Sequence, residues 1–351
     1  MLIKTLDSFG IRTLEGKFRV VKPVTGGMGA HSFEGEDLET RDKVFIKFLL
    51  FPRNEMELAK FQNEIDALQH LGRHAIQTTP QYLTSGQLFD GNIRYFITTW
   101  ADGITLRDWI ARELETSSIE QRLEVFHRVA CAISYNTLYS HRDLHPGNVI
   151  LSYSSPNWVE FRLPNPTTII VDWGESFSGL VAGFHDAPEY ATLLASRIPK
   201  QISGSFYCLP PEIFSPWSLG QHVAGNYDSW ALGLLLYKFL TLKDLFAFPD
   251  IGSYAQASVS GNIATQLTHA YNELSILEFE NAKLLAALMS RLVEIDPKNR
   301  APASWAGRVM FDMRIEEIKF HSESELLAYI RDPHNFKPER GWRYSDWPDY
   351  D

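Results

Sequence analysis

The stretch His141-Arg142-Asp143-Leu144-His145-Pro146-Gly147-Asn148 is the densest concentration of groups able to do chemistry in the chain. Pro146 and Gly147 forbid a regular helix, so the stretch is a shaped loop. Asp143 carries a carboxylate that can take a proton from a hydroxyl nucleophile. Asn148, five residues on, offers an amide oxygen to a hard cation. Asp172-Trp173-Gly174 follows directly after the apolar run Thr168-Ile169-Ile170-Val171. A carboxylate leaving a buried strand beside a glycine is well placed to hold magnesium against phosphate oxygens. Two unrelated acids on polar loops are the plainer alternative. Near the start of the chain, Gly26, Gly27 and Gly29 cluster in Val24-Thr25-Gly26-Gly27-Met28-Gly29. Glycines let a backbone approach phosphates and offer N–H donors, although the run by itself reads equally as a β-turn.

These groups need elements to position them. A strand over Val44–Leu49, rich in β-formers, carries Lys47. Residues 55–71 switch to helical spacing, with Leu58, Phe61, Ile65, Leu68 and Leu71 on one stripe and Gly72 as a stop. Glu64 lies beside that stripe, and an inward-facing charge needs a partner, which Lys47 can supply. Glu55 and Glu57 are also available, and a solvated helix edge is the competing reading. Strands are expected over 18–21, 94–100 and 168–171, and helices over 106–114, 119–139, 228–241 and 282–294. The join near Thr99–Gly103 divides a β-rich part from an α-rich part. The segment 172–212 is long for a connection without periodicity, and the residues after about Ile330 carry no assignable pattern.

A chain of 351 residues suits two lobes sharing a cleft. A net charge of −10 without Lys/Arg clusters argues against nucleic acid and anionic membrane surfaces as partners. Cys131 and Cys208 make neither a disulfide framework nor a metal motif, which suits a reducing cytoplasm. The most apolar run, Trp230 to Leu242, is interrupted by Lys238 and falls short of the ~18 residues a membrane span needs. A soluble, cytoplasmic protein is expected.

Taken together, the loop at 141–148 resembles the catalytic loop of eukaryotic-type Ser/Thr protein kinases, and Asp172-Trp173-Gly174 resembles their D-F-G motif. The resemblance runs from about Phe18 to Arg300 and implies an α+β bilobal fold. Its lobes would be a β-rich one at 1–100 and a helical one at 101–320, leaving a tail at 321–351 of open role. It implies an ATP-dependent kinase using Mg2+, with Mn2+ as the alternative, acting on a protein hydroxyl and autophosphorylating in its activation segment. Asp143 becomes the base, and Asn148 and Asp172 the metal ligands. Lys47, resembling the lysine of V-A-I-K, would neutralise the α- and β-phosphates and pair with Glu64. Gly26, Gly27 and Gly29 would line the phosphates, with Val24 where a first glycine is usual. Adenine would sit near Thr99 and Ala101.

Ser205 falls where such kinases carry a threonine near the base. Pro210-Pro211-Glu212 resembles the close of the activation segment, Asp228 would hold the catalytic loop, and Arg300 would pair with Glu212. Arg142 implies activation by loop phosphorylation, with Ser176, Ser178, Thr192, Ser196, Ser203 and Ser205 as candidate acceptors. His145 departs from the family by replacing a lysine. A shorter imidazole, partly charged near neutral pH, predicts slower or more pH-sensitive transfer. His-Pro-Gly-Asn also occurs in aminoglycoside-phosphotransferase-like kinases, which form one alternative. A pseudokinase scaffold is the other, and only Val24 and His145 lean that way.

Overall fold

Alternation decides which way Lys47 points. In the strand Lys43–Leu50, the side chains of Val44, Ile46 and Phe48 are buried on one face. They pack with Phe33, Ile93, Tyr95 and Ile97 into an outer core, so Lys47 projects from the opposite face. A computed structural model of the chain describes residues 6, 9–24, 31–72, 78–136, 139–152, 168–178, 209–214, 226–314, 318–320 and 322–336. Strands β1 (Thr13–Leu14), β2 (Phe18–Pro23), β3 (His31–Asp37), β4 (Lys43–Leu50), β5 (Tyr82–Leu88) and β6 (Ile93–Thr99) form one antiparallel sheet in the order β1-β2-β3-β4-β6-β5. Between β4 and β5 the chain makes helix α1 (Glu55–Leu71), started by Asn54, whose side chain accepts from the Glu57 N–H.

The second lobe follows β6. A three-stranded sheet joins β7 (Gly103–Thr105), β9 (Val149–Ser152) and β10 (Thr168–Ile170), and β8 (Tyr139–Ser140) pairs with β11 (Phe177–Ser178). Gly103, at φ 148°, sits so close to β9 that a β-carbon would lie 2.1 Å from the Leu151 carbonyl oxygen. Only glycine lets the chain cross from sheet to helical lobe there. The helices are α2 (Leu106–Glu113), α3 (Ile119–Ser134), α4 (Tyr227–Thr241), α5 (Ile251–Ser260), α6 (Asn262–Ser275), α7 (Ala282–Leu292), α8 (Ala303–Arg314) and α9 (Glu323–Arg331). One apolar core runs from Phe61, Ile65 and Leu68 of α1 through Trp173 into α3, α4 and α7, so the two lobes share packing beneath the cleft.

Two readings of the sequence change. The helix expected over 119–139 ends at Ser134, because the buried Asn136 amide turns back to donate to the Ala132 carbonyl and to Thr78 Oγ1. That frees Tyr139–Ser140 to pair as a strand. The stretch from 321, left without a role, begins with α9, whose Tyr329 and Ile330 are buried in the main core. Tyr329 donates to Asp312 Oδ2 of α8 at 2.7 Å, which ties the element down.

Candidate active site

The site forms where the inner face of β4 meets α1 and the loops of the helical lobe. Lys47 Nζ lies 2.6 Å from Glu64 Oε2 and 2.8 Å from Asp172 Oδ1. Glu64 is therefore the partner, and the competing Glu57 is spent elsewhere, on Arg53. Lys47 and Glu64 are almost wholly enclosed, whereas the Asp172 side chain is 48% exposed to the cleft. Burial works against the charge on Lys47, but the carboxylates of Asp172 and Glu64 outweigh it and hold the ammonium protonated well above its ordinary range. Lys47 in turn holds Asp172 ionised, below the usual carboxylate range. Burial raises the Glu64 carboxyl, and the Lys47 charge opposes that rise.

The loop at 141–148 is shaped by a buried carboxylate. Asp228, at the start of α4, accepts from the backbone N–H of His141 at 2.6 Å and of Arg142 at 2.9 Å. Arg142 sits at φ 64°, a left-handed conformation that a non-glycine residue holds only when its surroundings enforce it. His141 Nε2 lies 2.9 Å from the Val171 carbonyl, and its Nδ1 accepts from the Asp143 N–H at 3.3 Å. Asn148 Nδ2 donates to the Asp143 carbonyl at 3.0 Å, so the amide is oriented by the candidate base. Burial, and then the carboxylates of Asp172 and Glu175, push the Asp143 carboxyl up to about 7.

Asp172 opens the next segment at φ 65°. Trp173, in the place of the usual phenylalanine, is fully buried, with Nε1 donating to the Ile170 carbonyl at 3.0 Å and its ring edge-on to His141 at 4.7 Å. Asn63 of α1 donates to the carbonyls of Trp173, Gly174 and Ser176, the last at 2.8 Å. Lys60 pairs with Glu175. These two α1 residues fix the segment after Asp172 to the helix that carries Glu64, and reasoning from sequence missed both. Their spacing relative to Glu64 was the available signal, since Lys60 and Asn63 fall on the same side of α1.

The remaining expected residues divide. Arg300 is completely enclosed and donates to both oxygens of Glu212, at 2.6 and 2.8 Å. It also donates to the carbonyls of Glu294, Ile295 and Asn226 and lies over the Trp230 ring. Thr99 ends β6 and Ala101 lies on the strip between β6 and β7, with the Thr99 N–H taken by the Gln81 carbonyl. Gly26, Gly27, Gly29, Ser205, Thr192, Ser196, Ser203, Cys208 and the hairpin insert from 153 to 167 lie outside the described residues, as does the side chain of Ser178. Ser176 is corrected as a candidate phosphate acceptor: its side chain is buried and hydrogen-bonded to Asn63. The expectation for His145 also changes. Burial, followed by the nearby Arg107 charge, pushes its imidazole down to about 4, so the ring is neutral at neutral pH rather than partly charged.

For a divalent cation the donor set fits a shared site. Among the described residues there is no group of three or more His, Cys, Asp or Glu side chains that could hold a metal alone. Asp172 and Asn148 offer one carboxylate and one amide oxygen at the cleft, the hard-oxygen pattern a small cation takes when phosphate oxygens and water complete its shell.

Comparison with known proteins agrees with this geometry. The chain belongs to the protein kinase family, whose domain matches residues 18–308. It is 27% identical over 216 residues to the serine/threonine-protein kinase PknD of Chlamydia pneumoniae, covering 59% of this chain and 20% of that protein. It is 26% identical over 253 residues to the serine/threonine-protein kinase Pkn1 of Myxococcus xanthus, covering 69% and 31%. A third relative, PknD of Chlamydia muridarum, is 24% identical over 286 residues, covering 73% and 27%. The chain thus spans about a fifth to a third of the length of these relatives. Among the described residues no helix is long and apolar enough to cross a membrane.

Proposed function

We propose that this chain is an ATP-dependent protein kinase that phosphorylates serine or threonine. The observation that carries the reading is Lys47 bridging Glu64 and Asp172 while Asp143 and Asn148 face the same cleft. The family and the names of the relatives support the acceptor class. In this reading Lys47, fixed by Glu64, neutralises the phosphates of ATP, and the glycines at 26, 27 and 29 cover them. Adenine rests on the strip at Thr99 and Ala101.

Asp172 and Asn148 would hold a divalent cation, Mg2+ or Mn2+, which when bound spreads the charge of the phosphate oxygens. Asp143 orients the acceptor hydroxyl. Its oxygen bonds to the γ-phosphorus, the bond from that phosphorus to the β,γ-bridging oxygen breaks, ADP departs, and the hydroxyl proton passes to the Asp143 carboxylate. Neutral His145, 3.9 Å from Asp143 Oδ2, contributes a polar edge rather than a cation to the loop. Asp228 and the Glu212–Arg300 pair hold the loop and the end of the activation segment in register. Autophosphorylation within the activation segment 172–212 belongs to the same proposal.

Incubation of the purified chain with γ-labelled ATP, a divalent metal and generic protein substrates tests it, followed by phosphoamino-acid analysis. Label on serine or threonine is expected. Label confined to small-molecule acceptors, or to tyrosine, contradicts the acceptor class.

A further inference from the structure

Lys60, Asn63 and Glu64 stand one helical turn apart on α1, so one face of the helix presents all three to the chain that leaves Asp172. Each meets that chain differently. Lys60 pairs with the Glu175 carboxylate. Asn63, 8% exposed, sets its amide nitrogen at 2.8 to 3.4 Å from four oxygens, the carbonyls of Trp173, Gly174 and Ser176 and the Ser176 hydroxyl. Gly174 leaves no side chain in between: a β-carbon there would touch Glu64 Oε2 and the Lys60 carbonyl oxygen, each at 3.6 Å. The backbone of 173–176 therefore lies directly on α1, beside the carboxylate that holds Lys47. Past Ser176 the chain enters β11, which pairs with β8 next to the catalytic loop.

Two features make this contact a matter of position rather than of stability. The Lys60 and Glu175 side chains keep 29% and 31% exposure, a setting in which an ion pair contributes little to folding. Asp172 holds φ 65°, and a non-glycine residue stays left-handed only where its surroundings enforce it. Relaxing it would swing the carboxylate away from Lys47, and their 2.8 Å contact depends on the spacing between α1 and the segment. A phosphate orders a kinase activation segment by giving a nearby cation an anion to hold. Here Glu175 already gives Lys60 that anion from within the chain. Arg142, the cation expected to take a loop phosphate, is buried with its guanidinium 5.6 Å from the centre of the Tyr227 ring.

We propose that Lys60 and Asn63 are positioning residues that lock Asp172 against Lys47, through Glu175 and the carbonyls of 173–176, so that phosphoryl transfer by this chain does not wait on a phosphate in its activation segment. Autophosphorylation then follows activity instead of licensing it. The inference rests on the protein-kinase reading of this same site.

The test has two arms, both read above the acid limb of the pH–rate profile. In the first, the full chain is stripped of phosphate by a phosphatase, checked by mass spectrometry, and given γ-labelled ATP, a divalent metal and a protein substrate. Its initial rate should match the untreated chain within about threefold and show no lag. In the second, Lys60→Glu should lower kcat by about tenfold or more, and the charge swap Lys60→Glu with Glu175→Lys should return it to within about threefold of wild type. Both variants should melt within about 2 °C of wild type, since a half-solvated pair carries little stability. Hydrogen exchange over 173–178 in the chain free of metal and nucleotide should quicken in Lys60→Glu and in Asn63→Leu, and slow again in the swap. A lag that pre-incubation with ATP removes, a Lys60→Glu rate equal to wild type, a swap no faster than the single variant, or exchange unchanged in both single variants would each overturn the inference while leaving the kinase reading intact. Failure of the wild type to label any acceptor, with or without pre-incubation, would overturn both.

Discussion

Removing one partner of the Arg300–Glu212 pair should be the most destabilising polar change in the helical lobe. The arginine side chain is 0% exposed and the glutamate 8%, so a remaining charge finds no water. Glu212→Ala strands the guanidinium with only its three carbonyl acceptors. Arg300→Met strands a carboxylate together with those carbonyls of Glu294, Ile295 and Asn226. Breaking a buried pair in this way costs about 3–5 kcal/mol. Unfolding entropy near 2.1 cal/mol/K per residue gives roughly 0.7 kcal/mol/K for 351 residues, so the expected fall in Tm is about 4–7 °C. Differential scanning calorimetry reads it directly. The double variant Arg300→Met with Glu212→Leu removes both charges and should be less destabilised than the two singles combined, by about 2 kcal/mol. Single variants that melt within about 1 °C of wild type, or strictly additive losses, would refute the claim that the pair is desolvated and coupled.

Three further outcomes follow from the same geometry. In the proposed mechanism Asp143 must be ionised to take a proton, and its carboxyl is raised to about 7. Activity should therefore fall as pH drops through the neutral range, and Glu175→Gln, which removes a repelling carboxylate, should move that fall to lower pH; a pH–kcat/KM profile with no acid limb would count against it. Lys47→Met removes the one cation shared by Glu64 and Asp172, and should cut kcat/KM by about a hundredfold or more, with an undiminished rate as the contrary result. His127 is fully buried, its Nδ1 3.3 Å from Arg314 Nη1, and burial followed by that charge pushes its pKa down from 6.5 to about 3. A depressed folded pKa means the stability it permits is whole above 6.5 and is lost as pH falls toward 3, at about 1.4 kcal/mol per unit. Urea unfolding should show His127→Gln gaining about 2 kcal/mol on wild type between pH 7 and pH 5; a pH-independent difference would contradict this assignment.

Much of this site was legible in the sequence because its geometry is local. The alternation of Val44, Ile46 and Phe48 fixes the direction of Lys47, and the stripe Phe61-Ile65-Leu68 fixes that of Glu64. Asp143 and Asn148 lie within one short loop and Asp172 at a strand end, so their approach needed only the family's order of motifs. What stayed hidden depends on tertiary neighbours. Asn63 looks like an ordinary polar helix residue until the segment after Asp172 folds against it. The neutrality of His145 follows from burial and from Arg107, thirty-eight positions earlier in the chain. The end of α3 is set by Asn136 reaching Thr78, a contact no local pattern encodes. α9 is short and weakly patterned, and the burial of Tyr329 depends on its bond to Asp312 and its packing against Phe320 and Phe336.

The most direct measurement is the rate of γ-phosphate transfer by Asp143→Asn beside its nucleotide affinity. Conversion of this carboxylate to an amide should lower kcat by about 10²–10⁴-fold while calorimetric binding of the ATP–metal complex stays within about threefold of wild type. Transfer at the wild-type rate would show that Asp143 is not the group that receives the hydroxyl proton, and the account of the cleft would fail with it.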